Sequence, residues 1–192
     1  MSPVKFDSIA RFLPSGIYLD QPEKDEIVSS FEIHRLDKND HFLREGDRVN
    51  LIGGVIHGIL YRYYYDLNGK LHIDQFITND HFFTECKCYK NNLPSYTNII
   101  AVTPCEIATI STQKMEALRK AGPIYEQIIH EVTFNSMQGR IDIDEMFLQG
   151  SQAERIERFY NYYKLYMPYI PKEIVAIYLQ MSRSKFYYMQ KT

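Results

Sequence analysis

The stretch Tyr61-Arg62-Tyr63-Tyr64-Tyr65-Asp66-Leu67-Asn68-Gly69-Lys70-Leu71-His72-Ile73 decides the fold of this chain. Two short apolar or alternating runs flank a turn whose Asn68-Gly69 pair tolerates positive φ, so residues 61–73 read as a β-hairpin. The same texture continues on both sides. Runs at 51–55, 59–65, 71–77 and 105–110 are separated by turn clusters at 37–40, 46–47, 66–69, 78–80 and 91–94. Many short strands at close spacing predict an all-β sandwich, roll or barrel over 32–110.

Helical patterns flank this region. Residues 6–12 and 23–31 form two short helix-like stretches, with Pro14, Gly16 and Pro22 as breakers. Residues 111–120 read as a short helix with Ser111 or Thr112 as its N-cap, and Pro123 begins a much longer one reaching 149. At 100° per residue the long helix is apolar on two faces. Ile128, Ile129, Val132, Ile143, Met146 and Phe147 share one, with the small Ser136 and Gly139. Phe134, Met137, Ile141 and Leu148 lie nearly opposite, at coiled-coil intervals of three, four and seven. Both faces must be buried, so one is expected on the chain's own β region and the other on a second copy. The alternative is that both pack within one monomer.

Gln149-Gly150-Ser151-Gln152 punctuates that helix as a possible hinge. Residues 153–166 then predict a helix with Ile156, Phe159, Tyr160 and Tyr163 on one side, closed by Pro168 and Pro171. Pro171 suits the first position of a further helix over 172–179, and Ser182 caps a last one to about 190. Two short helices joined by Leu179-Gln180-Met181 have the dimensions of a helix-turn-helix.

Composition narrows the function classes. At 192 residues, one large domain plus a small one is expected, and 45% hydrophobic with 24% charged residues argues against disorder. The net charge is only −2, so any nucleic-acid surface must be local. Lys164, Lys172, Arg183, Lys185 and Lys191 concentrate cations near the C-terminus. No run approaches the roughly 18 apolar residues that span a bilayer, and Lys5, Asp7 and Arg11 interrupt residues 1–13 where an export signal is apolar, which points to the cytoplasm and no membrane. Three cysteines, Cys86, Cys88 and Cys105, are an odd number and are expected to be reduced. Cys86-Lys87-Cys88 on an extended strand would point two thiols to one side, permitting metal binding or oxidation; a chance pair of small buried residues is the plainer reading. His34, His41, His57, His72, His81 and His130 are scattered without ligand spacing, and no phosphate loop or nucleophile motif stands out. Neither an enzyme nor a bound cofactor or metal is therefore expected.

Several segments carry a family likeness in order along the chain. They are Phe42-Leu43-Arg44-Glu45-Gly46-Asp47, then Gly58 to Tyr63 with Asp66-Leu67-Asn68-Gly69-Lys70, then Asp80-His81-Phe82-Phe83-Thr84-Glu85, then Ala153-Glu154-Arg155, and finally Ile170-Pro171-Lys172-Glu173 running on to Leu179. The ordered set resembles the Crp/Fnr family of regulators. The resemblance implies an α+β fold: an N-terminal cyclic-nucleotide-binding-like β-roll of the jelly-roll type, a long dimerisation helix and a C-terminal (winged) helix-turn-helix. The corresponding units are 1–122 (helical preface and sensor), 123–149 (dimer helix) and 150–192 (DNA-binding).

The resemblance also assigns candidate roles. For an effector these are Glu85, Phe83, Thr84, Ser95 and Tyr96. The family's cyclic-AMP binders place a Glu on the ribose and an Arg on the phosphate; here Glu85 stands at the Glu position, but the Pro-Arg pair becomes Pro94-Ser95-Tyr96. A buried phosphate without a guanidinium partner is costly, so the effector is expected not to be cyclic AMP. Glu85 is alternatively a strand-end carboxylate, and Phe76, Phe83, Tyr89 and Tyr96 either line a less charged site or form plain core. Three cysteines, none before Cys86, exclude the family's four-thiolate iron-sulfur cluster. For DNA, the recognition helix would present Ser182, Arg183, Ser184, Lys185, Tyr188 and Lys191, Ser184 and Tyr188 replacing an acidic reader and a later Arg. Phe134, Met137, Ile141 and Leu148 are the dimer candidates. The expected function is a ligand-responsive, homodimeric transcriptional regulator on a palindromic operator. The alternative is a dimeric small-molecule-binding or protein-interaction module without specific DNA binding.

Overall fold

The computed structural model describes residues 6–85, 88, 91 and 93–189, with the backbone alone at 135–146 and 148. Among the described residues eight strands alternate with the expected turns: β1 Phe31–Leu36, β2 His41–Leu43, β3 Leu51–His57, β4 Leu60–Tyr65, β5 Leu71–Ile77, β6 Phe82–Phe83, β7 Asn98–Ala101 and β8 Cys105–Ser111. They form two four-stranded antiparallel sheets, ordered β1-β8-β3-β6 and β2-β7-β4-β5. The 61–73 hairpin is β4–β5. Its turn is caged by Asp66, whose carboxylate accepts the Asn68 and Lys70 N–H groups at 2.9 Å each, while Gly69 alone takes positive φ, at 76°.

The space between the sheets is filled by Leu43, Val55, Leu60, Ile77, Phe83, Ile99, Ala101, Cys105 and Ile107. Two glycines let aromatic rings approach β3 from opposite sides. A Cβ at Gly53 would stand 2.4 Å from the Phe83 ring, and one at Gly54 would stand 2.8 Å from the Phe12 ring.

Each sheet's outer face is covered by helices. On the β1–β8–β3 face lie α1 Phe6–Ala10, α2 Gln21–Ser30, α3 Thr112–Ala121 and the start of α4 Pro123–Leu148, burying Ile9, Phe12, Ile27, Leu118, Tyr125 and Ile128 against Ala108 and Ile110. Pro22 turns out not to break α2. It sits in the first turn, where its missing N–H has no partner to lose, and Asp20 caps the helix in a reciprocal box with Glu23. Ser111, not Thr112, caps α3 by accepting the Lys114 N–H at 3.2 Å.

The β4–β5 face is covered by C-terminal helices: α5 Gln152–Tyr162, α6 Lys172–Tyr178 and α7 Arg183–Met189. Phe76 of β5 meets Phe159, Tyr163 and Tyr178 with ring centroids 5.1 to 5.4 Å away, and Phe147 at the end of α4 joins them. The expected apolar side of the 153–166 helix is the one that packs here, although α5 stops at Tyr162. Tyr163 leaves helical geometry at φ −97°, ψ 23°, its ring drawn into this cluster, and hydrogen-bonded turns carry the chain to Ile170. Pro171 is the N-cap of α6, one residue earlier than expected. The Gln149 to Gln152 segment is braced: Ser151 forms a capping box with Glu154, Arg155 Nε donates to the Phe147 carbonyl at 2.8 Å, and Arg158 reaches the Gln149 carbonyl.

Candidate functional site

The interior of the roll carries charge. Arg62 shares the inward side of β4 with Leu60, two residues away on an element of period two, and is only 5% exposed. Opposite it the register slips: Arg62 pairs with Gln75 but Tyr63 pairs with Ile73, which leaves Asp74 as the extra residue of a β-bulge. Asp74 accepts a bidentate contact from Arg62, with Nε at 2.9 and 3.1 Å and Nη2 at 2.8 Å. On its other side Nη1 lies 3.6 Å from Glu85 Oε2. Burial opposes the Arg62 charge, but the Asp74 hydrogen bonds and charge, and then Glu85, outweigh it and hold the guanidinium above its ordinary range.

A hydroxyl chain extends the network. Thr97 Oγ1 donates to Glu85 Oε2 at 3.1 Å, Ser95 Oγ donates to the Thr97 carbonyl at 2.8 Å, and the Thr97 N–H returns to Ser95 Oγ at 3.1 Å. The Ser95 backbone is clamped to the Glu45-Gly46-Asp47 turn by Gly46 N–H and Asp47 C=O. Tyr96 stands at the rim, half exposed, and burial together with the Glu85 carboxylate holds its phenol above the usual range.

Of the residues expected at an effector site, Glu85, Ser95 and Tyr96 come together. Phe83 instead packs edge-on to Phe42 at 4.8 Å in the core, and Thr84 Oγ1 donates to the Leu51 carbonyl. Phe76 faces the helices, and Tyr89 lies outside the described residues. Sequence reasoning missed Arg62, Asp74 and Thr97. The parity of Arg62 with Leu60 was the available signal for the first; the bulge that turns Asp74 inward left none.

Cys88 is buried and helical, so the extended strand that would align it with Cys86 is not formed there; Cys86 lies outside the described residues. Cys105 is buried, its thiol pushed up by that burial while donating to the Thr103 carbonyl at 3.2 Å. Among the described residues no group of His, Cys, Asp and Glu stands as a metal site, and no helix is long and apolar enough to cross a membrane.

At the other end, α6 and α7 are joined by a tight turn in which Gln180 takes φ 57° and Met181 N–H bonds to the Ala176 carbonyl at 2.9 Å. Val175, Ala176, Leu179, Met181 and Phe186 are buried beneath it. Ser182 caps α7, its Oγ accepting the Lys185 N–H at 3.3 Å. Ser182, Arg183, Ser184, Lys185 and Tyr188 are exposed, and Lys191 lies outside the described residues. Residues 150–192 hold seven Lys and Arg against three Glu, a surplus of four positive charges, whereas the rest of the chain holds fifteen against twenty-one. On α4, Phe134 is 58% exposed; the side chains of Met137, Ile141 and Leu148 lie outside the described residues.

Residues 33–121 match the model of the cyclic nucleotide-binding domain. The roll has the cyclic nucleotide-binding-like fold. No curated protein matches the chain in sequence. Among solved structures, a protein assigned to the Crp/Fnr family of transcriptional regulators from Eubacterium rectale is similar to 90% of this chain over 82% of its own, with a TM-score of 0.69 at 15% identity. CLP of Xanthomonas campestris, described as a c-di-GMP-responsive global regulator, covers 90% of each chain with a TM-score of 0.67 at 14% identity. FixK2 of Bradyrhizobium japonicum gives a TM-score of 0.64 at 10% identity, covering 84% of this chain and 83% of its own. The likeness extends beyond the cyclic nucleotide-binding domain to the fold of the C-terminal helices. Inside the roll one buried guanidinium faces a buried carboxylate, Glu85, and a part-exposed one, Asp74.

Proposed function

We propose that the protein is a DNA-binding transcriptional regulator of the cytoplasm that acts as a homodimer and answers a small-molecule effector other than cyclic AMP. The observation that carries the DNA reading is α7 itself. Phe186 anchors it in the core, while Arg183, Ser184, Lys185 and Tyr188 are exposed to solvent at the cationic end of an otherwise acidic chain. A seven-residue helix so anchored, behind a helix that braces it, is shaped for a major groove. The exposed Phe134 and the coiled-coil spacing of Met137, Ile141 and Leu148 support α4 as the dimer seam, which would set two α7 helices on the half-sites of a palindrome.

Fluorescence anisotropy with mixed genomic duplexes across several salt concentrations tests this reading. Binding should weaken steeply with salt, and Arg183→Ala should reduce the magnitude of the slope of log K against log salt by about 0.9, the share of one phosphate contact. A dimer that binds no duplex, with or without cell extract as an effector source, would leave the interaction-module reading in its place.

The cyclic-AMP prediction rests on the roll interior. A phosphate monoanion entering beside Arg62 would find that guanidinium already held bidentately by Asp74 and facing Glu85, and would have to displace those partners to be paired. Millimolar cyclic AMP should therefore leave the melting temperature unchanged. A ligand present at about 100 times its Kd adds about 2.7 kcal/mol, so a rise of several degrees would refute the claim.

A further inference from the structure

Between Arg158 and the end of the chain there is a single acidic residue, Glu173, among five cationic ones. It is not placed at random. Glu173 Oε1 accepts Arg183 Nη2 at 2.6 Å and the Tyr187 hydroxyl at 3.1 Å. The Tyr187 ring in turn has Lys172 Nζ and the Arg183 guanidinium each 5.8 Å from its centroid. A carboxylate, a phenol and two cations thus form one cluster across α6 and α7. The Glu173 backbone N–H, then the Tyr187 hydroxyl, and further the charges of Arg183 and Lys172 hold the carboxyl below its ordinary range, so it is ionised at neutral pH.

Resting on the DNA-binding reading above, we infer that Glu173 is a positioning residue that makes Arg183 discriminate between sequences. A guanidinium has five N–H donors in a rigid fork, and the Nη2 contact to Glu173 leaves most of them for the paired acceptors of a base edge. An ordinary phosphate gains less from it. The free donors are open to it as well, but its negative charge is repelled by the adjacent Glu173 carboxylate, whereas a base edge is neutral. Glu173 therefore lowers the attraction of α7 for DNA in general and spares the contact in which Arg183 donates while still held.

The test uses the whole protein, an unselected random-sequence duplex pool, and duplexes enriched from that pool on the wild-type protein. Glu173→Gln keeps an acceptor for Tyr187 and removes the charge. It should tighten binding to the unselected pool about threefold and steepen the salt slope by about 0.9, without tightening binding to the enriched duplexes, so that the ratio of the two affinities narrows. Both changes should vanish when Arg183→Ala is present as well, because a residue acting through Arg183 has no effect without it. Glu173→Asp, which keeps the charge but draws it back by one methylene, should fall between wild type and Glu173→Gln. An equal gain in the Arg183→Ala background, or an unchanged ratio, would make Glu173 a plain repulsive charge and overturn the inference. If the wild-type protein neither binds the pool nor enriches any sequence, the DNA-binding reading fails first and this one with it.

Discussion

Arg62→Ala is expected to destabilise the protein by about 3–5 kcal/mol, measured as the shift in urea midpoint at constant slope. The cost does not come from lost attraction alone. Arg62 is 5% exposed and Glu85 4%, so removing the guanidinium leaves Glu85 buried beside the Thr97 hydroxyl and the Tyr96 phenol without its cation, and leaves Asp74 without its bidentate contact. The converse sharpens the test. Arg62→Met, Asp74→Leu and Glu85→Gln together remove all three charges while keeping volume, and a buried ion group replaced as a set by well-packed side chains is commonly neutral or stabilising. The triple variant should recover most of the loss. A small effect of Arg62→Ala would mean that water enters the roll freely and that the network is not a closed interior site.

Phe159→Ala is the second large effect, at about 3–5 kcal/mol. Phe159 is fully buried and touches Phe76, Phe147, Tyr163 and Tyr178, with ring centroids between 4.7 and 5.7 Å away. Those partners come from β5, α4, the end of α5 and α6, so one ring stitches the β-roll to the helix-turn-helix. The expected consequence is cooperative: in wild type, backbone circular dichroism and the tyrosine near-ultraviolet signal should melt together, and the variant should lower both midpoints equally. An early, separate loss of helix that leaves the sheets intact would show that the C-terminal helices are an independent unit only resting on the roll.

That shared core bears on how the sequence divides. Read along the chain, a breakpoint at Gln149 to Gln152 separates a small C-terminal unit from a larger sensor. In space Gly150 does take φ 80°, but the turn is bridged by Arg155 and Arg158 onto the end of α4, and the unit beyond it buries its apolar side on β4 and β5. Periodicity identified which residues of α5 are buried. It carried no information about which sheet would bury them.

What the sequence determined by itself was local and periodic: the strand runs at 51–55, 59–65, 71–77 and 105–110, the hairpin turn at Asn68-Gly69, the cap at Ser182, and the packing side of Ile156, Phe159 and Tyr163. Each follows from contacts within a few residues or from a repeat of two or 3.6. The tertiary structure alone decided three things. A one-residue bulge turned Asp74 toward Arg62, a shift of register that leaves no trace in composition because it depends on the partner strand. Closure of the roll brought Glu85 to that pair from eleven residues beyond the bulge, and Thr97 from farther still. The fold of α6 against α7 set Glu173 on Arg183, ten residues away, where charge along the chain marks only a cationic stretch with one exception. Ion pairs across elements are made by three-dimensional proximity, and a single sequence records the charges without recording which of them meet.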